Sequence, residues 1–483
     1  MKSRIFTHSL AALVVLALLL SLAGMAQADI VGPCGPYVTQ VGNVFTVTPN
    51  GSDDTANLQC ALDAAAAVGP GSTVQLAAGL FHSGFVYEGM YNGTIKGMGM
   101  DKTVIESLPD LPCDDPTFSP DLWAFNTAKL RIADLSFHIA DETPCDVENP
   151  NSVGHAIGVI SIDGTQPMEE DKCLPFSTDP IDIRVDSVSI RGENGDFYAW
   201  GGDTTFSSNV TNGIGIWDYC NDTPAGIQTW SAKITRSRFE HLGVSLEGGW
   251  LKGMRFEAGG SPSQGNFFNA STLSPFWVLH NRNFVADVSY NEMRNNHGTG
   301  FFTFSDGMTE LSTYKVHHNT ISAMGEGNGA YVDDDSFLNG TPSLSVSITQ
   351  NHFILDGADV WGIAALDGKD FLFADNRFSG FANIGILAGQ FGYEGDPLVS
   401  ASHFLIKGNN LNKLNYTQAP IYLSNTSANC TVVGKSNKDY VEDHGTNNVI
   451  VRAIRHSSSS IGTSVSEMMK LKADISKMIK RGR

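Results

Sequence analysis

The run Asp333–Asp334–Asp335 sets three carboxyl groups side by side. Clustered carboxylates raise one another's pKa, so one member can carry a proton at neutral pH and deliver it as an acid while another stays ionised. Acids also close three neighbouring strand-like segments: Glu247 in "GVSLEGG", Asp306 in "GFFTFSDG" and Asp367 in "GIAALDG". Strands stacked one coil apart lie about 4.8 Å from each other. Carboxyls on adjacent coils then come within about 5 Å, as in a retaining glycosidase, and two coils apart they approach the wider inverting separation. His297, in "NNHGTG" just before the Asp306 strand, can assist. The candidate catalytic set is therefore Asp306, Asp333, Asp334 and Asp335 with His297, and Glu247 and Asp367 are candidate substrate contacts. The same acids have two other readings: solvated strand ends, or oxygen ligands for Ca²⁺. No Cys or His spacing points to zinc.

Aligning these segments on their leading Gly or Pro places Trp277, Phe302 and Tyr331 at one outward position, followed by Ala364, Leu387 and Tyr422. Three outward aromatics on successive coils can form an apolar strip for the faces of sugar rings, or a ladder of rings stacked on each other that stabilises the sheet. Trp277, Phe302 and Tyr331 are candidate substrate contacts on the first reading.

What positions these residues is a repeat. Apolar pairs five residues apart occur at Ile132/Phe137, Ile183/Val188, Ile234/Phe239, Val288/Met293, Val316/Ile321, Ile348/Phe353, Phe373/Phe378 and Ile406/Leu411. In a straight strand an odd step puts two side chains on opposite faces. A corner between them lets both face one interior. The last five pairs carry Asn291, Asn319, Asn351, Asn376 or Asn409 at the third position, with Asp186 and Ser237 there in two earlier copies. Asn tolerates left-handed backbone, which predicts the corner at the Asn itself, and stacked corners predict an Asn hydrogen-bond ladder. From Val288 onward the repeats start 28, 32, 25 and 33 residues apart. Constant corners with variable loops mean a solenoid of stacked coils, about ten by repeat counting. Earlier spacings of 51, 51 and 54 imply long insertions or an unmarked coil, for which Leu251/Phe256 is a candidate.

The repeats resemble those of the right-handed parallel β-helix proteins of the pectin-lyase-like superfamily. The stretch "DDTANLQCALDAAAAVGPGSTVQLAAGLF", residues 53–81, is similar to the opening of its pectate-lyase-superfamily or rhamnogalacturonase-like domains, through Asp53, Asp54, Thr55, Gln59, Asp63, Ala64, Ala65, Thr73, Val74, Leu76 and Gly79. The resemblance implies an all-β, single-domain right-handed parallel β-helix with an N-terminal capping helix, and a substrate groove lined by the strand after each Asn corner. Within the helix, Leu58, Ala61, Leu62 and Ala65 form one apolar face, Asp54 or Thr55 can cap it, and "GPG" at 69–71 ends it. Family chemistry is not matched. The polygalacturonase Gly-His-Gly and Arg-Ile-Lys motifs and the alginate-epimerase Asp-Pro-His-Asp motif are absent, and the groove strands carry almost none of the basic residues that pectate lyases require.

Composition narrows the partners. The 483-residue chain has 51 acidic and 31 basic side chains, for a net charge of −20. That excludes nucleic acid as partner and disfavours a polyanionic glycan without cations. Residues 1–28 read as a secretory signal peptide, with Lys2 and Arg4, an apolar core and "AQA" ending at Ala28. The rest divides into a cap with first strands at 29–90, the β-helix at 91–455, and a Ser linker with a short basic helix at 456–483. In that tail Met468, Leu471, Ile475 and Met478 share a face, suited to packing on the β-helix, to self-association or to a membrane surface. No later segment is long and apolar enough to span a bilayer. Six of the seven Cys precede residue 221, where disulfides are expected without a deducible pairing, and Cys430 reads as a buried free thiol. The expectation is a secreted, periplasmic or cell-surface protein that recognises and cleaves an extracellular polysaccharide, hydrolase-like more than lyase-like. The rival is a non-enzymatic glycan-binding or adhesion protein on the same frame.

Overall fold

The computed structural model describes residues 30–452, except 32–33, 90, 110–120, 127–128, 141–156, 164, 168–172, 176–180, 194–207, 209, 218–229, 326, 391–398 and 435–440. The predicted signal peptide and the basic tail lie outside the described residues.

The chain is a right-handed parallel β-helix, the hand that strand twist favours for such crossovers. Each coil contributes to three parallel sheets. Sheet A runs from Val44–Val47 to Val449–Arg452, sheet B from Gly79–Ser83 to the first half of Asn410–Leu423, and sheet C from Val86–Glu88 to Glu442–Asp443. A coil is indeed present in the long gap, built from Arg255–Gly259, Phe267–Asn269 and Ser274–Leu279.

The Asn ladder forms between sheets A and B, but the left-handed residue is the one before each Asn. Tyr290, His318, Gln350 and Asp375 have φ of 60, 57, 57 and 56°, and Gly408 has φ of 65°. The Asn follows the corner and turns its amide inward. Asn351 Nδ2 donates to Val316 O at 2.8 Å and to Asn376 Oδ1 at 3.1 Å, while its Oδ1 accepts from Asn319 N and Nδ2. The row runs from Asn266, through Asn291, to Asn409, and Ser237 extends it by accepting from Val188 N. Asp186 is not part of it. The register puts Val188 opposite Ser237, and Asp186 points outward to pair with Arg236. Gln350→Gly should therefore stabilise the chain by up to about 1 kcal/mol, by removing a Cβ from left-handed backbone. A denaturation midpoint that falls would show that Gln350 contributes more through its side chain than it costs.

The N-terminal motif acts as a sheet edge. The helix Thr55–Val68 buries Leu58, Ala61, Leu62 and Ala65 against the first coil. Neither Asp54 nor Thr55 caps it by side chain; Asp53 accepts from Thr55 N at 2.9 Å instead. Asp54, Thr55 and Gln59 take the backbone N–H groups of His82, Gly84 and Tyr87 at 3.3, 2.6 and 3.0 Å. Strand donors that would otherwise face water are thereby satisfied, which blunts an edge open to mispairing. Cys34 and Cys60 form a disulfide that ties this helix to the segment before it, and Cys430 is buried and free. Cys113, Cys145 and Cys220 lie outside the described residues, and of Cys173 only the backbone is described.

Candidate functional site

Sheet C carries the site because its leading glycines fix its register. A Cβ on Gly300, Gly329 or Gly362 would fall 2.4–2.6 Å from an atom of the next turn or of a core side chain: Ile321, the Gly362 carbonyl and the Gly385 carbonyl respectively. Only Gly lets the chain bend so close there. The outward row of sheet C is then Ser161, Gly215, Glu247, Trp277, Phe302, Tyr331, Ala364, Leu387 and Tyr422. The predicted alignment of Trp277, Phe302 and Tyr331 is what the register shows.

Their orientation differs from a sugar-binding strip. Trp277 and Phe302 have ring centroids 4.1 Å apart and planes within 10°; Phe302 and Tyr331 are 5.0 Å apart and within 7°. Parallel rings at such separations overlap face to face. They cover each other's faces and turn their edges outward, so the ladder reading holds here. Beyond Tyr331, Ala364 and Leu387 keep the outward register yet are fully buried, which closes the strip.

The acids fall into two groups. Period-two alternation sends Tyr331 and Asp333 outward and Asp334 inward, and Asp335 opens the short helix Asp335–Leu338 that follows. Asp334 is fully buried and accepts from Ser343 N, Ser343 Oγ and Leu344 N at 2.9, 2.6 and 3.0 Å. It pins the chain's return to the next coil and leaves the catalytic set. Asp333, Asp335 and Asp367 converge, each with an oxygen within 4.8 Å of the others. Asp333 is 8% exposed, accepts from Tyr331 Oη at 3.0 Å through Oδ2, and leaves Oδ1 without a hydrogen-bond partner. Burial first, then Asp367 and Asp335, push its pKa well above the usual carboxylate range. Asp335, half-buried, is raised by burial and then by Asp367 and Asp306. Asp367, predicted as a substrate contact, is 1% exposed and takes Gln390 Nε2 on both oxygens, so it stands behind the other two. Asp306 is exposed at the rim, within electrostatic reach of Asp335.

His297 does not join them. It sits before the strand Phe301–Ser305, against the Gly325 turn where sheet B passes into sheet C, while Asp306 follows the other end of that strand. Glu247 is not at a strand end either. It lies in the outward row opposite Trp277.

Glu247 heads a second group that the sequence reading missed. Burial, then the charge of Asp121, pushes Glu247 up to about 8. Asp121 is raised to about 7 by burial and Asp163, against a hydrogen bond from Ser161, and burial raises Asp163 to about 6. Beside them Trp217 lies flat on the sheet: a Cβ on Gly215 or on Gly249 would come 2.6 Å from its indole. Glycines on two successive coils thus make room for one ring. Trp250 follows at 5.9 Å and stacks on His280 at 5.5 Å. The Glu247 and Tyr331 coils are three steps apart, about 14 Å at strand spacing, so the two acidic groups cannot form one acid–nucleophile pair.

The Glu247 group has a consequence for stability. Its folded pKa lies above the 4.5 of an ordinary exposed glutamate. The folded state therefore holds more protons than the unfolded state between about pH 4.5 and 8, and stability falls as pH rises through that window. Glu247→Gln is expected to remove part of that fall, roughly 2–4 kcal/mol by pH 9. Chemical denaturation at pH 5 and pH 9 measures it, and an unchanged pH slope would show that Glu247 ionises freely.

No protein-family model matches the chain, and no curated protein matches it. Among solved structures it is similar to the A-module of the mannuronan C-5 epimerase AlgE6 of Azotobacter vinelandii, at 13% identity and TM-score 0.36, covering 84% of this chain and 97% of that one. It is similar to the DFA-IIIase of Arthrobacter chlorophenolicus A6 at 13% identity and TM-score 0.41, covering 86% and 97%. The Agl-KA catalytic domain matches at 12% identity and TM-score 0.38, covering 88% and 70%. At this depth of likeness the matches assign no chemistry.

Proposed function

We propose that this chain is a secreted protein that binds a largely neutral extracellular polysaccharide along sheet C and hydrolyses it at Asp333, Asp335 and Asp367. The observation that carries the reading is the triad: a carboxyl nine-tenths buried and with one oxygen unpartnered, raised above the usual carboxylate range by burial, beside two further carboxyls. Asp333 donates its proton to the glycosidic oxygen. Asp335, the most exposed of the three, attacks the anomeric carbon. Their nearest oxygens lie within 4.8 Å, close to the retaining separation and short of the wider inverting one, so the pair fits retention rather than inversion. Asp367, behind them, keeps the proton on Asp333. The net charge of −20 and the acids on this face favour a neutral glycan over a polyanion.

Glycan-array binding of the full chain, followed by a reducing-end assay on every glycan bound, tests this. Binding without any product would favour the rival, a glycan-binding surface protein. The ring geometry adds a sharper expectation. Trp217→Ala should weaken glycan binding about tenfold, as loss of a platform residue does, whereas Phe302→Ala should lower stability by about 1–3 kcal/mol and leave affinity nearly unchanged. The reverse pattern, affinity lost at Phe302 and kept at Trp217, would return the binding surface to the stacked ladder.

A further inference from the structure

The C-terminal end of the solenoid is open. The stack of interior side chains in sheet A passes from Ile406 to Val432, each 1% exposed, and ends at Ile450, which is 41% exposed. Val449 and Val451 beside it are 38% and 40% exposed. The last strands of sheets A and C, Val449–Arg452 and Glu442–Asp443, have one strand neighbour each among the described residues. A terminal strand of this kind leaves a row of N–H and C=O groups to pair with another chain. At the opposite end the Thr55–Val68 helix covers the corresponding position.

We propose that residues 461–480 of this same chain cover the open end as an amphipathic helix, laying Met468, Leu471, Ile475 and Met478 over Ile450 and its neighbours. Three observations choose this occupant. The segment follows the terminal strand after a linker containing four serines, long enough to fold back. Its apolar residues recur at steps of three, four and three, one face of a helix. From residue 453 on there are seven basic and two acidic side chains, whereas the first 452 residues hold 24 basic and 49 acidic. The end itself carries Glu442 and Asp443, so charge draws the tail to this face.

Hydrogen exchange, thermal melting and sedimentation of the full chain, as wild type and as Leu471→Glu/Ile475→Glu, test the proposal. The wild type should be a monomer with protected amides at 449–452 and at 468–478. The double variant should lose both sets of protection, melt at least about 2 °C lower, and self-associate through the bared edge. Unprotected tail amides in the wild-type monomer would overturn the proposal. A wild-type dimer that the double variant dissociates would replace it with a second copy of the chain as the cover. Tail protection gained only with anionic lipid vesicles would replace it with a membrane surface.

Discussion

Asp333→Asn is expected to reduce hydrolysis of any glycan the chain cleaves by at least about a hundredfold, with no loss of thermal stability. Asn keeps the side chain's shape and can still accept from Tyr331 Oη, as Asp333 Oδ2 does at 3.0 Å. What it cannot do is hand a proton to a leaving oxygen. It also relieves a site where three carboxyls lie within 4.8 Å of each other, so the variant should fold at least as well. The pH profile carries a second signature. An acid must be protonated to act, and burial with Asp367 and Asp335 nearby raises Asp333. The alkaline limb of wild-type turnover should therefore lie well above the ordinary carboxylate range, and Asp335→Asn should remove turnover by deleting the nucleophile. Glu247→Gln supplies the control: it lies about 14 Å along the sheet and should leave that limb in place. Turnover that survives Asp333→Asn but not Glu247→Gln would move the chemistry to the Asp121, Asp163 and Glu247 group.

The fold was legible because its signal is local. Each corner from Asn291 to Asn409 joins an apolar pair five apart to an inward amide between them, and those three residues lie within one short string such as "ITQNHF". The sheet C register was legible for the same reason, since a leading Gly is demanded wherever the bend passes too close to the core for a Cβ. The site was legible only in part. Asp334 could have been set aside, because period two along the strand turns it inward when Tyr331 and Asp333 face outward. The facing of the Trp277, Phe302 and Tyr331 rings could not be read, because it depends on how rings a coil apart settle against each other. Asp121, Asp163 and Trp217 were missed for another reason. Asp163 and Trp217 lie among repeats whose starts are 51 to 54 residues apart, and Asp121 precedes the first of them, so the corner rhythm that aligns later coils does not reach them.

Asn351→Val tests what holds the coils in register, and its expected cost is the largest of any single change proposed for stability. Asn351 is 2% exposed. Its side chain donates to Val316 O and Asn376 Oδ1 and accepts from Asn319 N and Nδ2, at 2.8 to 3.1 Å. Valine makes none of these bonds. It strands the Val316 carbonyl and the Asn319 backbone N–H in the interior, at about 1–3 kcal/mol each, whereas Asn319 Nδ2 keeps Val288 O and Asn376 Oδ1 keeps the Asn351 backbone N–H. Partial relaxation leaves an expected loss of roughly 2–5 kcal/mol. Because coils in a solenoid contact chiefly their neighbours, the damage should start locally. Hydrogen exchange at 316–320 and 348–353 should accelerate before that of distant coils. Gln350→Gly in the same assay separates the two features of the corner: it relieves the left-handed residue and leaves the ladder whole. A loss below about 1 kcal/mol for Asn351→Val would mean that core packing at Ile348 and Phe353, rather than the buried amides, sets the stacking of these coils.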